Sequence, residues 1–283
     1  MTKRFENKVA IVTGSSNGIG RAVAVLFASE GAKVTIHGRN EESIKETQKE
    51  LHDAGVKESD VLVVRGDIRE EKVQKSLVEE TVAKFGKINI LVNNAGGLPE
   101  MSPRHGFDQT NEEWDYTIDL NVKSVLNLTK LAISHLISAK GEIVNISSIA
   151  SLPVSMASSP YYSAAKAALD QLTRALAARY IHNGVRVNSV NPGVVQTKIM
   201  AKQGISDELY NEINQKMLQN RHNIPAGIVG TPKNIADAVA FLADRDSSSY
   251  IVGHCLVIDG GTTLNVPLFN SFEPENYDYA LKE

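Results

Sequence analysis

The chain has 283 residues, 42% of them hydrophobic, enough to bury a substantial core within one α/β domain. Its net charge of −3 lacks the basic bias of a nucleic-acid binder, and its seven histidines are too scattered for metal-ligand spacing, so neither nucleic acid nor metal is expected. One cysteine, Cys255, excludes an intrachain disulfide; with no apolar run of membrane-spanning length, and no signal-peptide core in Met1 to Lys8, a cytoplasmic location away from membranes is expected.

The first element is an apolar, mainly β-branched run, Val9 to Val12, the pattern of a strand buried in a parallel sheet. Thr13-Gly14-Ser15-Ser16-Asn17-Gly18-Ile19-Gly20 follows at once. A helical pattern comes next, with Ala22, Val23, Leu26 and Phe27 on one face and Gly31 as its stop. Strand, glycine-rich turn and helix N-terminus in that order make an anion site, because backbone N–H groups and the helix dipole converge where a pyrophosphate can approach. The second strand, near 33–37, runs into Gly38 and Arg39. Dinucleotide folds commonly place an acid about 20 residues beyond the turn for the ribose 2′-hydroxyl. Here that position is Gly38, and the Arg39 guanidinium beside it suits a 2′-phosphate. The competing reading makes Arg39 an exposed residue opening the next helix, neutralised by Glu41 and Glu42.

Further strands are expected near 61–66, 89–93, 142–147, 185–190 and 256–258, with helical patterns between them. Alternating βα units predict a doubly wound parallel sheet of about seven strands in three layers, with right-handed crossovers, the α/β class called the Rossmann fold. No linker divides the chain. One domain over 1–262, with a substrate flap at about 194–226, and a C-terminal tail over 263–283 is the expected organisation. Ser159-Pro160 and Thr231-Pro232 each read as a helix cap followed by proline at the first helical position, and Gly184 closes the helix begun at Pro160.

Three places along this frame carry chemistry. Asn121 interrupts an apolar helical pattern of Trp114, Ile118, Val122 and Val125, where its amide would compete for backbone hydrogen bonds and bend the helix. Ser147 and Ser148 follow the fifth strand. Tyr162 and Lys166 stand one helical turn apart on one face. At about 4 Å and an effective dielectric of about 20, an ammonium stabilises a phenolate by about 4 kcal/mol, or roughly three pKa units, into the working range of general acid/base catalysis. Tyr161 has no basic residue four positions on and is expected to pack or to border the substrate.

In order and spacing, Thr13 to Gly20, Asn93-Asn94-Ala95-Gly96, Asn121, Ser148, Tyr162 with Lys166, Pro192-Gly193 and the closing Gly253 to Gly261 resemble the short-chain dehydrogenase/reductase family. The likeness spans residues 8–262 and is strongest to single-domain, tropinone-reductase-like carbonyl reductases. The resemblance implies that Ser148 binds the substrate oxygen and that Tyr162 passes the proton. Lys166 would bind the nicotinamide ribose and lower the tyrosine pKa, and Asn121 would hold a water linking Lys166 to solvent. It also implies cofactor contacts from Gly14, Ser16, Asn17, Gly18, Ile19 and Gly20 at the turn and from Arg39 beyond it. Asp67 and Ile68 would lie near adenine, Asn94, Ala95 and Gly96 along the cofactor, and Pro192, Gly193, Val195 and Thr197 around nicotinamide. Asn17 departs from the pattern, standing where a second basic residue often supports the phosphate.

The expected function is therefore NADP(H)-dependent hydride transfer between nicotinamide and a carbonyl or secondary alcohol, with NADP(H) favoured over NAD(H). Leu98, Pro99, Leu152, Val154 and Met200 suggest a mainly apolar small-molecule substrate, and Met200, Leu209, Met217 and Ile224 mark the flap. The rival readings are an NAD-linked alcohol dehydrogenase on the same site and a non-catalytic dinucleotide-binding sensor or scaffold. The resemblance also implies a homo-oligomer, dimer or tetramer, formed through helices near 111–136 and 160–182.

Overall fold

The computed structural model describes residues 3–99, 106–153, 158–197, 204 and 206–264. Val154, Met200 and the tail from 265 onward lie outside the described residues.

Seven strands, β1 (Val9–Val12), β2 (Lys33–Gly38), β3 (Val61–Arg65), β4 (Ile90–Asn93), β5 (Glu142–Ile146), β6 (Arg186–Pro192) and β7 (Cys255–Ile258), form one sheet in the order β3-β2-β1-β4-β5-β6-β7. Every pairing is parallel. Strand alternation divides the side chains between two cores, since successive residues point to opposite faces. Ala10, Val12, Val34, Ile36, Val92 and Val144 pack on one side, while Ile11, Leu91, Ile143 and Val187 pack on the other. Both faces are covered, which is why these strands read as continuous apolar runs.

The first core is closed by α1 (Gly18–Ser29), α2 (Glu41–Asp53) and α8 (Pro232–Ala243), through residues such as Phe27, Leu51 and Val239. The second is closed by α3 (Glu71–Phe85), α5 (Ser124–Ala139) and α6 (Pro160–Tyr180), through Leu77, Leu128 and Leu176. The remaining α-helices among the described residues are α4 (Asn111–Ile118), α7 (Asp207–Gln219) and the short α9 (Arg245–Ser248). The order reverses between β1 and β4, so the crevice beyond the carboxyl ends of these strands is where such a sheet takes its ligand.

Thr231 caps α8 as expected, accepting from Asn234 N at 3.3 Å while Asn234 accepts from Thr231 N at 2.8 Å. Ser159 occupies the cap position of α6 but makes no side-chain cap bond, so the Pro160 ring alone starts that helix. β6 runs to Pro192, beyond the expected limit, because Asn191 and Pro192 pair with Val257 and Ile258.

Candidate active site

The glycine turn is held by side chains that the chain brings from three directions. Gly14 takes a φ of +63°, and a Cβ there would meet Ala95 Cα at 2.9 Å, so only glycine lets β1 turn this closely against the end of β4. Asn94 Nδ2 donates to the carbonyls of Thr13 and Gly14 at 2.8 and 3.0 Å, so its side chain builds the turn. From β2, His37 Nδ1 accepts from Gly14 N at 3.1 Å and its Nε2 lies 3.2 Å from the Gly66 carbonyl. That arrangement requires a neutral ring with the proton on Nε2. Burial pushes His37 down to about 4, so it stays neutral. Arg21 clamps the turn from α1, bonding the Ser16 carbonyl as well as Thr47 (3.0 Å) and Glu50 (2.8 Å) on α2.

A cavity of about 510 Å³ begins at this turn and runs across the switch point. It is lined by the expected Gly14, Ser16, Asn17, Gly18, Ile19, Arg39, Asp67, Ile68, Asn94, Ala95 and Gly96. Farther along it are Ser148, Tyr162, Lys166, Pro192, Gly193, Val195 and Thr197. Two expected site residues stand behind the wall instead. Gly20 is buried where a Cβ would meet Asn94 Nδ2 and the Gly14 carbonyl at 2.4 Å, so it contributes close packing. Asn121 is also buried, accepting from Gly97 N at 3.0 Å and donating to the carbonyls of Gly97 and Thr117 at 2.9 Å each. Its amide takes the Thr117 carbonyl from the helix ladder, and residues Asp119–Lys123 form a π-helical turn there. The bend read from the sequence is therefore present, and the side chain expected to hold water is bonded to backbone.

The cavity also takes in residues the sequence reading did not single out, His37, Tyr116, Leu120, Tyr210 and Ile213, together with the expected Met217. The last three lie on α7, where spacings of three and four put them on one face. Tyr210 OH donates to the Val195 carbonyl at 3.0 Å, tying α7 to the loop after β6. Of the expected apolar residues, Leu98 and Met217 line the cavity. Leu209 is 47% exposed and Ile224 is buried in packing beside Gly260, so neither faces the cleft.

At the far end both serines border the cavity, with their hydroxyls turned to different partners. Ser147 Oγ turns to the Lys166 carbonyl at 3.3 Å, whereas the Ser148 hydroxyl hydrogen-bonds the Tyr162 phenol. Tyr161 packs edge-on against Trp114 and donates to the Gln109 carbonyl at 3.0 Å. Lys166 Nζ donates to the Ile146 carbonyl at 2.9 Å and lies 5.5 Å from the centre of the Tyr162 ring. The electrostatics differ from those expected. Burial pushes Tyr162 up to about 12, opposed by the Ser148 hydrogen bond, and burial pushes Lys166 down to about 8, opposed by the negative charge of Asp170. The expected drop in the phenol's pKa is absent here because desolvation by burial outweighs the Ser148 hydrogen bond.

At the other end, a Cβ on Gly38 would meet Ser16 Cβ and Oγ at 2.7 Å, so the usual acid position is filled by the turn. The Arg39 side chain is 44% exposed and 4.0 Å from Asp67, whose carboxylate also pairs with Arg69 at 2.7 Å. Glu41 pairs with Lys45 and Arg65, each at 2.8 Å. An elongated cavity with an N–H-lined turn at one end and a phenol–serine–ammonium group at the other fits a dinucleotide laid across it.

The model for the family described as enoyl-(acyl carrier protein) reductase matches residues 14–263. Dehydrogenase/reductase SDR family member 4 of Caenorhabditis elegans is 38% identical over 92% of this chain and 96% of its own length. A crystal structure of a short-chain dehydrogenase/reductase of unknown function from C. elegans, with cofactor, superposes with a TM-score of 0.93 at 43% identity, covering 95% of this chain and all of the other. A 7α-hydroxysteroid dehydrogenase complexed with NADH and 7-oxo glycochenodeoxycholic acid gives a TM-score of 0.81 at 31% identity, covering 92% and 96%. The chain belongs to the short-chain dehydrogenase/reductase family. It is an oxidoreductase of that family, working between alcohol and carbonyl with a nicotinamide cofactor. No helix among the described residues is long and apolar enough to cross a membrane.

Proposed function

We propose that the chain is an NADP(H)-dependent carbonyl reductase that uses Tyr162 as its general acid/base. The observation that carries this reading is that Tyr162, Ser148 and Lys166 line the same cavity as the glycine turn and Arg39. The turn residues would hold the pyrophosphate, Asp67 and Ile68 would lie near adenine, and Pro192, Gly193, Val195 and Thr197 would surround the nicotinamide, which supplies or accepts the hydride. Tyr162 starts as the neutral phenol, as a proton donor in reduction must. Ser148 orients the substrate oxygen beside it, and Lys166 holds the ribose and supplies the positive charge that stabilises the phenolate. Asn121 shapes the Gly96–Gly97 wall behind Lys166, and proton return by water along that wall belongs to the same proposal.

The preference for NADP(H) is supported by Ser16 filling the space an acid at position 38 would need, and by Arg39 at the rim. A charge-assisted contact of about 1.5 to 3 kcal/mol favours the 2′-phosphate by roughly tenfold or more. Tyr116, Leu120, Ile213 and Met217 support an apolar small ketone as substrate, as does the tropinone-reductase-like sequence pattern. The proposal includes a homo-oligomer formed through α4, α5 and α6, supported by the exposed alanines Ala164, Ala167, Ala168 and Ala175 on α6. Light scattering that reports a stable monomer removes that part. It also includes a cytoplasmic location and a tail from 263 outside the catalytic unit; cell fractionation and tail removal without loss of turnover test these.

The deciding experiment measures NADPH and NADH binding by fluorescence and screens cyclic and aryl ketones for turnover. Tyr162→Phe is expected to retain NADPH binding and to lose at least about 100-fold in turnover. Undiminished turnover overturns the assignment, and binding without any Tyr162-dependent turnover favours the sensor reading.

A further inference from the structure

Behind the reacting group lies a buried carboxylate that the proton relay does not use. Asp170 stands on α6 one helical turn beyond Lys166, and the two side chains leave the same face of that helix. Both residues are buried, at 3% and 4% exposure. Asp170 Oδ2 accepts from Asn191 Nδ2 at 2.7 Å, and the same amide donates to Ser151 Oγ at 2.9 Å and to the Ser148 carbonyl at 3.3 Å. Asp170 Oδ1 lies 3.4 Å from Ser189 Oγ, and the Cys255 thiol of β7 reaches both Asp170 and Ser189. One carboxylate thus joins α6, β6 and β7 to the backbone of the Ser148 loop.

A carboxylate this deep costs several kcal/mol unless its charge and lone pairs are met. Neutral donors meet the lone pairs. For the charge, no arginine or lysine among the described residues comes within 4.0 Å of Asp170. The charged and titratable groups on the elements around it are Lys166 one turn before it and Arg174 one turn after it on α6, with Cys255 on β7. β6 presents only neutral Ser189 and Asn191. Lys166 has the complementary deficit, because Tyr162, the Ile146 carbonyl and the Gly96–Asn121 wall offer its ammonium no negative charge.

We propose that Asp170 is a positioning residue, the buried counter-charge that keeps Lys166 an ammonium and, through Asn191, ties it to the Ser148 loop. The proposal rests on the assignment of Lys166 and Ser148 to the reacting group, and it is tested without cofactor or substrate, so its failure is distinct from failure of that assignment. An asparagine at 170 keeps the shape and an acceptor for Asn191 and removes only the charge. A purely structural Asp170 would leave the Lys166 titration where it is.

The test follows the ε-carbon signals of ¹³C-labelled lysine by NMR in the cofactor-free protein, with Lys166 assigned by its loss in Lys166→Met. Asp170→Asn is expected to lower the Lys166 midpoint by about one pH unit with the circular dichroism spectrum unchanged. An unmoved midpoint in the folded variant overturns the proposal. Should Asp170→Asn alone not fold, Lys166→Met is added to it. Recovery of the folded state supports the charge coupling, and persistent unfolding of the double variant overturns it.

Discussion

Lys166 Nζ donates to the Ile146 carbonyl at 2.9 Å and stands 5.5 Å from the centre of the Tyr162 ring, so the lysine is anchored to the end of β5 beside the tyrosine one turn back on the same helix. Burial acts on the two in opposite senses, up to about 12 for the phenol and down to about 8 for the ammonium. At neutral pH the pair therefore holds its proton on both groups, the state needed to donate to a ketone oxygen.

The lysine sets an alkaline limit. As pH rises through about 8, Lys166 loses its charge and, with it, the charged contact proposed for it with the cofactor ribose. NADPH affinity measured by fluorescence titration is expected to fall between pH 7.5 and pH 9 in the parent chain, roughly as one titrating group. Lys166→Met is expected to bind weakly with no such step. A parent affinity flat across this interval removes Lys166 from the cofactor contact.

The proposed cofactor preference rests on Arg39, and the geometry decides how to test it. Aspartate at position 38 would place its Cβ 2.7 Å from Ser16, so that substitution disturbs the turn itself. Arg39→Leu alone is the cleaner variant. It is expected to weaken NADPH binding by about tenfold or more and to leave NADH binding within about twofold. Equal losses for both cofactors would assign Arg39 to a structural role.

The β1–turn–α1 unit and the strand positions were legible because burial on both faces writes long apolar runs and because only glycine permits the turn at Gly14. Tyr162, Lys166 and Ser148 were legible as a pattern of types and spacings. Their electrostatics were not, since the sequence fixes neither the 5.5 Å separation nor the extent of desolvation. Asn121 was read both ways, and the bend is what its hydrogen bonds make. The α7 contribution was missed in part because Tyr210, Ile213 and Met217 form a stripe that any packed helix would show, and the sequence does not say which face meets the cavity. His37 was passed over as one residue in an apolar strand; its signal was a ring with two hydrogen-bonding nitrogens at the strand end facing the glycine turn.

That histidine gives an acid-side prediction. The ordinary His37 pKa of 6.5 falls to about 4 in the folded chain, so the unfolded state binds more protons between these values. The contribution is intact above pH 6.5 and is lost progressively as pH falls to about 4, roughly 3 kcal/mol in all. Urea unfolding across this range is expected to show that loss, and His37→Gln to flatten it. An unchanged acid slope in His37→Gln would mean that other groups carry the proton linkage.

The roof of the cavity depends on one hydroxyl. Tyr210 OH bonds the Val195 carbonyl, and the strand-like contact of Val195 with Gly230 holds the same loop. Tyr210→Phe removes the bond and keeps the ring. It is expected to raise KM for NADPH and for a ketone probe by roughly fivefold, equivalent to about 1 kcal/mol, with kcat within about twofold. A fall in kcat with KM unchanged would place Tyr210 in the reaction rather than in the roof.

At the opposite end of the sheet, Glu142 on β5 meets two guanidiniums, Arg186 at 2.9 Å and Arg245 at 2.6 Å. Arg186 is 1% exposed, and its Nη1 and Nη2 groups bond the carbonyls of Ser248 at 2.7 Å and Leu242 at 2.9 Å. Burial pushes Glu142 up to about 7 against the pull of both guanidiniums, so above that pH the carboxylate neutralises a cation locked into this end of the fold, far along β5 from Ser148. Glu142→Gln leaves that buried charge without its partner, which costs about 3 to 5 kcal/mol. Urea unfolding is expected to report that loss, with NADPH affinity unchanged under conditions where the variant is folded. A cost below about 1 kcal/mol would show that the carbonyl acceptors alone satisfy Arg186.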